Sequence, residues 1–482
     1  KTATMTKPIV LLILTTLALS CNKAPKKAAE TTSSAPPNVI LIFTDDQGYN
    51  DVGCYGSPDI ETPNLDAMAQ EGVRLTNFYA TQPICSASRA AILTGCYPNR
   101  IGIHLALGPG NTTGLHLEEL TMAEMLKKQG YATAIFGKWH LGDHPDFMPN
   151  KQGFDEFYGI PYSNDMWPYH PEQGTVFDFP PLPLYENEKI IDTLVDQSML
   201  TTQLTEKSVS FIKKNKATPF FLYVAHPQPH VPLFVSDKFK GKSKRGLYGD
   251  VTMEIDWSVG QILETIKTLG IDDNTVVIFT SDNGPWLSYG EHAGSAHPLR
   301  EGKQTAWEGG QREPCIIRYP NKIPANQVIN TPLMSIDILP TIAHLTQSPL
   351  PEKEIDGKNI TEVLTQKTED SPHEAYYFYY NINELHGVRY KNWKLYYPRE
   401  YKSLNGREGG KGGFPAVYDF NEVNETQLFD LSKDIGESNN VAQLYPEVVQ
   451  TIDSLANRKR AELGDSLRDL EGQENRPAGV RK

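Results

Sequence analysis

Positive charge is what this 482-residue chain has too little of: 46 Lys and Arg stand against 59 Asp and Glu, a net charge of −13 with histidine neutral. No basic tract is present beyond short lysine pairs, which excludes nucleic acid as a partner. Cysteine is scarce too. The five, Cys21, Cys54, Cys85, Cys96 and Cys315, have no metal-ligand spacing, so neither a disulfide framework nor a zinc module is indicated. No apolar stretch is long enough to span a bilayer: the run that follows Lys7, Ile9 to Leu14 and on to Leu19, is about a dozen residues and fits a secretory h-region. Internal repeats are absent. The 39% hydrophobic and 10% aromatic content is that of a globular protein, and the length allows one large α/β domain plus a smaller one.

At the N-terminus Met5 is the expected start. Ala18-Leu19-Ser20-Cys21 resembles a bacterial lipobox, which implies a lipid on Cys21; a plain signal-peptidase site is the alternative. Asn22 to Pro37, rich in Lys, Ala, Thr, Ser and Pro, reads as a flexible tether. The expected divisions are a signal segment 1–21, a tether 22–37, a catalytic domain 38–370 and a C-terminal subdomain 371–482.

Four short apolar runs carry the fold. Asn38–Thr44, Tyr131–Phe136, Pro219–Ala225 and Thr275–Ser281 read as strands buried on both faces of a parallel sheet, separated by helical patterns. Each delivers chemistry-bearing residues at its C-terminal end, where open α/β sheets place their ligands. The first gives Asp45 and Asp46, whose mutual repulsion makes sense beside a cation. The second gives Lys138 and His140, two apart and pointing the same way if the backbone stays extended. The third gives His226 and His230 in a proline-stiffened loop, and the fourth gives Asp282 and Asn283.

A further stretch, Cys85-Ser86-Ala87-Ser88-Arg89 followed by Ala90-Ala91-Ile92-Leu93-Thr94-Gly95, reads as a loop turning into a helix with Cys85 at its N-terminal end. Free N–H groups there favour an anion, and Arg89 lies one turn on, beside the sulfur. Thr121 to Glu124 forms a capping box ahead of another helix. Pro161 to Ile191 has no period and is rich in aromatics, including Trp167, Tyr169, Phe177, Phe179 and Tyr185, which suit sugar rings or core packing equally. From about His373 the character changes to short antiparallel strands, Ala375–Tyr380 and Val388–Tyr397, with a closing helix from Pro446 to Leu463. Leu404 to Phe414 reads as a mobile basic loop.

The Cys85 signature resembles that of the formylglycine-dependent sulfatases of the alkaline-phosphatase-like superfamily, whose motif cysteine is oxidised to formylglycine (3-oxoalanine). The resemblance runs from about Asn38 to Leu428. It implies an α/β fold with a large mixed, mostly parallel sheet sandwiched by helices and a smaller C-terminal α+β subdomain carrying a short antiparallel sheet. It also implies that Asp45, Asp46, Asp282 and Asn283, with the modified Cys85, hold a divalent metal. Oxygen donors of this kind suit Ca²⁺ first and Mg²⁺ second. Arg89, Lys138, His140, His230 and Lys303 then match the remaining catalytic positions, and Lys138, His230, Lys303 and Arg300 are the substrate-binding candidates. His226-Pro227-Gln228-Pro229-His230 is one residue longer than the family's common spacing, which leaves His226 unassigned.

The resemblance implies a two-step hydrolysis of sulfate esters in which one hydroxyl of hydrated formylglycine attacks sulfur. His230, with Lys303 nearby, protonates the leaving alcohol, and His140 removes the proton of the second hydroxyl to expel sulfate. The implied partners are a sulfated polysaccharide or oligosaccharide and a formylglycine-generating enzyme. Membrane contact would run only through Cys21, at the cell surface or in the periplasm. A phosphoester hydrolase of the same superfamily and a non-catalytic glycan-capturing lipoprotein are the rival readings.

Overall fold

In the computed structural model residues 1–5 and 35–481 are described. Residues 6–34, with the expected signal run, Cys21 and most of the tether, lie outside the described residues. The main sheet is built from β1 (Asn38–Thr44), β2 (Val73–Tyr79), β3 (Ala132–Lys138), β4 (Glu156–Ile160), β5 (Pro183–Glu186), β6 (Lys189–Thr193), β7 (Phe220–Ala225), β8 (Thr275–Ser281), β9 (Arg312–Arg318) and β10 (Gln327–Ile329). Their order is β10-β2-β9-β8-β1-β7-β3-β4-β5-β6, and the pair Leu333–Met334 adds an eleventh strand beside β2. At the centre, β8, β1, β7, β3 and β4 run parallel.

Strand β1 is buried throughout, and its residues alternate between the two cores. Val39, Leu41 and Phe43 join the cluster under α2 (Cys85–Thr94) and α3 (Met122–Lys127). Ile40 and Ile42 join the cluster under α4 (Leu200–Asn215) and α5 (Leu247–Thr268). Helices on both faces are what parallel strands with a continuous apolar run require.

The sheet also contains strands that the apolar runs do not disclose. β9 lies antiparallel between β8 and β2, and β2 in turn pairs in parallel with β10 and Leu333–Met334, which makes this side of the sheet mixed. The aromatic stretch expected to be irregular from Pro161 to Ile191 instead ends in the β5–β6 hairpin, which extends the sheet to its edge. In that stretch Trp167 is buried, donating to the Leu194 carbonyl at 2.6 Å, and Tyr185 stacks on Phe157, while Phe177 and Phe179 remain exposed.

In the C-terminal region β11 (Tyr376–Tyr380), β12 (Glu384–Tyr390), β13 (Trp393–Tyr396) and β14 (Gln427–Asp430) form a four-stranded antiparallel sheet. The expected single strand from Val388 to Tyr397 is two strands. The chain turns at Lys391, whose φ is 55°, and doubles back. Phe378, Tyr379, Leu395 and Tyr396 of this sheet share a core with Tyr79, Trp307 and Met334 of the main body. The loop expected to be mobile, Leu404 to Phe414, is tied down: Gly410 N–H donates to the Ser288 carbonyl at 2.7 Å and Gly412 N–H to Glu291 Oε1 at 2.9 Å.

Candidate active site

The site forms where β1, β3, β7 and β8 end side by side. Neighbouring residues in a strand point to opposite faces, so Asp45 and Asp46 could not both serve one site in an extended chain. Asp46 takes a left-handed conformation, φ 61°, with its N–H donating to Asp282 Oδ1 at 3.1 Å. That turn swings both carboxylates into the same space.

Cys85 is delivered by α2, a helix buried on every side as its Ala-rich sequence permits. Gly95 ends it in a left-handed cap at φ 71°, while Ile84 at the other end supplies no capping side chain. The free N–H pole therefore points at the sulfur's surroundings. Cys85 Sγ lies 3.4 Å from Asp45 Oδ1 and receives the Lys303 ammonium at 3.3 Å. Burial, and after it the charge of Asp45, push the Cys85 thiol well up, so an unmodified cysteine here stays protonated and poorly nucleophilic.

Cations surround the carboxylates. Arg89 Nη2 pairs with Asp282 Oδ2 at 2.8 Å and Asp45 Oδ2 at 3.4 Å, and its Nη1 donates to the Lys138 carbonyl at 3.3 Å. The Lys138 ammonium bonds to Asp45 and to Ser163 Oγ, the latter at 3.0 Å. Lys303 Nζ reaches Asp46 Oδ1 at 2.7 Å, and His230 Nε2 stands 3.5 Å from Asp46 Oδ2. Burial alone would raise Asp45; Lys138 first, then Arg89, His230 and Lys303, hold it well below the usual carboxylate range. Asp282 is different: burial, then the Asp45 charge, push it up to about 7. For Lys303, burial would lower the ammonium, but Asp46, with Asp45 and Asp282 behind it, keeps it well above an ordinary lysine.

His140 departs from the expected extended geometry. Strand β3 ends at Lys138, and His140 has φ 61°. Its Nε2 bonds to the Leu107 carbonyl at 3.0 Å, which places a proton there and leaves Nδ1 as a buried lone pair without a partner. Burial, then Lys138 and Arg89, drive the ring well below ordinary histidine, so it is neutral.

Two candidates lie elsewhere. His226 is buried away from the cluster, with Nε2 at 3.3 Å from Ser258 Oγ on α5, and burial lowers it to about 4. Arg300 does not reach the cluster. Its guanidinium lies 3.6 Å from the Trp307 ring centroid and donates to the Glu437 carbonyl at 3.0 Å and Tyr401 Oη at 3.1 Å. The reason is shape and hydrogen bonding: Trp307 offers it a flat ring and the C-terminal region two acceptors, which hold the guanidinium there. Conversely, Ser163 and Trp286 belong to the site and were not singled out from sequence. Trp286 directly follows the Asp282-Asn283-Gly284-Pro285 turn, which is a usable signal; Ser163 comes from the aromatic stretch and has none.

The donor set fits a hard cation. Atoms of Asp45, Asp46, Cys85 and His230 lie within 4.8 Å of one another, and the buried Asn283 Oδ1 has no partner while its Nδ2 donates to Asp46 Oδ1 at 2.7 Å. Crowded carboxylates and a free amide oxygen are ligands in search of positive charge.

The sulfatase family model matches residues 37–348, and the C-terminal region of aryl-sulfatase matches residues 371–477. The chain belongs to the sulfatase family. It is 38% identical to human arylsulfatase A over 89% of this chain and 88% of that one. It is also 38% identical to the N-acetylgalactosamine-6-sulfatase of Sus scrofa, over 82% and 76%. Among solved structures, Ps i-CgsB in complex with k-i-k-neocarrahexaose superposes with a TM-score of 0.73 at 30% identity, covering 88% of this chain and 92% of that one. This sulfatase is thus a sulfuric ester hydrolase with the alkaline-phosphatase-like architecture that the Cys85 motif implies.

Proposed function

We propose that the sulfatase works through formylglycine at position 85 with a divalent cation, calcium before magnesium, held by Asp45, Asp46, Asp282 and Asn283. The observation that carries this is the seating of Cys85 Sγ between Asp45 at 3.4 Å and the Lys303 ammonium at 3.3 Å, where a protonated thiol has no evident use. When present, the modified residue and its cation supply an oxygen nucleophile and an electrophilic pull on the sulfate.

The chain's own groups do the rest. Arg89 and Lys138 place positive charge where the sulfate oxygens gain negative charge. His230 has Nδ1 bonded to the Val231 carbonyl and Nε2 directed at the cluster, an orientation in which Nε2 hands a proton to the departing alcohol oxygen. The Lys303 ammonium lies beside it and steadies that oxygen. Neutral His140, with its free Nδ1, accepts the proton whose removal releases sulfate. Ser163 holds Lys138 at 3.0 Å from its hydroxyl.

The substrate is a sulfated polysaccharide or oligosaccharide. Relatives named for a sulfated amino sugar and a neighbour holding a carrageenan oligosaccharide support that reading. A formylglycine-generating enzyme is the maturation partner, and the segment ending at Cys21 exports the protein and anchors it by lipid; globomycin-sensitive labelling with a radioactive fatty acid tests the anchor.

The test of the centre is the mass of the tryptic peptide Leu75–Arg89 from protein made with a formylglycine-generating enzyme. The expected mass is that of the aldehyde or its hydrate, with sulfate-ester hydrolysis lost on chelation and restored better by Ca²⁺ than by Mg²⁺. Active protein whose residue 85 is an intact thiol overturns the proposal.

A further inference from the structure

The alcohol half of the ester needs a wall, and none of the residues above provides one. Trp286 is half-buried beside the cluster. The Lys303 ammonium lies 4.5 Å from its ring centroid, and that same ammonium donates to Cys85 Sγ at 3.3 Å. The His230 ring lies 5.5 Å away, tilted by 59°. Trp286 therefore touches both groups that stand on the leaving-group side of residue 85. Tyr289 packs edge-on against it at 4.9 Å and is half-buried as well.

The turn that carries the two rings is clamped by the C-terminal region. The Ser288 carbonyl accepts from Gly410 N–H and Ala416 N–H, each at 2.7 Å, and Ser288 N–H donates to Tyr418 Oη at 3.0 Å. Gly290 has φ 55°, and a Cβ there would stand 2.3 Å from the Gly410 carbonyl oxygen, so the clamp fits only without a side chain. The backbone that carries the indole is consequently fixed before substrate arrives, which lowers the ordering cost of binding.

We propose that Trp286, backed by Tyr289, is the specificity-determining wall for the leaving alcohol and selects sulfate esters of cyclic, sugar-like alcohols over acyclic ones. A flat indole offers an extended apolar face to the C–H face of a ring, and an open-chain alcohol cannot cover it. The inference rests on the site roles proposed above.

The test compares kcat/KM for the best substrate in a panel of monosaccharide sulfates with kcat/KM for 2-hydroxyethyl sulfate, in matured wild type, Trp286→Ala, Trp286→Leu and Trp286→Phe. Losses common to both esters report the contacts with Lys303 and His230; the ratio reports the ring. The ratio is expected to fall about tenfold in Trp286→Ala and in Trp286→Leu, chiefly through KM for the sugar, and by less than about threefold in Trp286→Phe. Trp286→Leu fills the space without an aromatic face, so it decides the matter even if the alanine variant does not fold. An unchanged ratio in Trp286→Leu, or an equal fall in Trp286→Phe, overturns the proposal. Wild-type protein that cleaves neither ester overturns the site roles themselves, and the wall with them.

Discussion

Two of the buried charge clusters among the described residues of this sulfatase, one around Glu308 and one around Cys85, are finished differently. Around Glu308 every polar atom of the carboxylate is matched: Oε1 accepts from Lys394 at 2.6 Å, and Oε2 from Tyr79 Oη at 2.7 Å and Arg312 at 3.2 Å. Burial would raise that carboxyl, but Lys394, then Arg312 and Arg389, hold it at about 2. Around Cys85 the charges are equally buried, yet Asn283 Oδ1, His140 Nδ1 and Arg89 Nε have no partner, and one of three neighbouring carboxyls is pushed up to about 7. Burial of charge therefore does not mark a site by itself. Unpartnered polar atoms do not either, since Glu313 and His226 carry them as well. What sets the Cys85 cluster apart is that its open atoms stand beside crowded carboxylates and the motif cysteine at the strand ends.

The sharpest way to break this comparison is to substitute the centre of each cluster. Cys85→Ala should lower sulfate-ester hydrolysis by at least about 10³-fold while a thermal melt shows little change, since it removes a small side chain with only weak sulfur contacts. A variant that keeps its activity would mean that the open cluster is not the reacting one. Lys394→Met should do the opposite, costing about 3 kcal/mol in denaturant unfolding by stranding Glu308, with kcat of the folded fraction close to wild type. A collapse of kcat without loss of stability would make the closed cluster functional after all.

Smaller effects refine the boundary. Arg300→Lys, which keeps the charge but loses the planar stack on Trp307, should cost about 1 kcal/mol of stability and leave KM for a sulfated sugar within about twofold. A large rise in KM with unchanged stability would return Arg300 to the substrate site. His226 gives the finest test. Its folded value of about 4 lies below the ordinary histidine value, so the unfolded chain binds the extra proton. The stabilisation it gives is complete above about pH 6.5 and is lost as pH falls toward 4, amounting to about 1 kcal/mol by pH 5.5. His226→Gln should flatten that part of the stability-versus-pH curve and change kcat/KM by less than about threefold; an unchanged curve would show that His226 is not the buried neutral group described.

Much of this was legible in the chain. The apolar runs of β1, β7 and β8 and the Thr121–Glu124 capping box form as read, since each depends on neighbours within a few positions. The departures share one cause. His226 and His230 are alike in sequence and four apart, yet one faces Ser258 on α5 and the other Asp46, because the loop's path is set by what packs around it. Arg300 and Lys303 sit in one loop, yet Arg300 is drawn to Trp307 and Glu437 while Lys303 goes to Asp46. β9 carries too little apolar periodicity to be read as a strand, and is one because β8 and β2 each present it a free edge.

By itself, then, the sequence determined which residue types stand at the ends of which strands, and through the Cys85 motif the family and its hydrolysis of sulfate esters. Only the tertiary structure decided which of those residues meet. Local preference is paid out over a few bonds, whereas the choice between Asp46 and Ser258, or between Cys85 and Glu437, is made by packing and charge partners more than a hundred positions away or on another element, where no short-range pattern reaches.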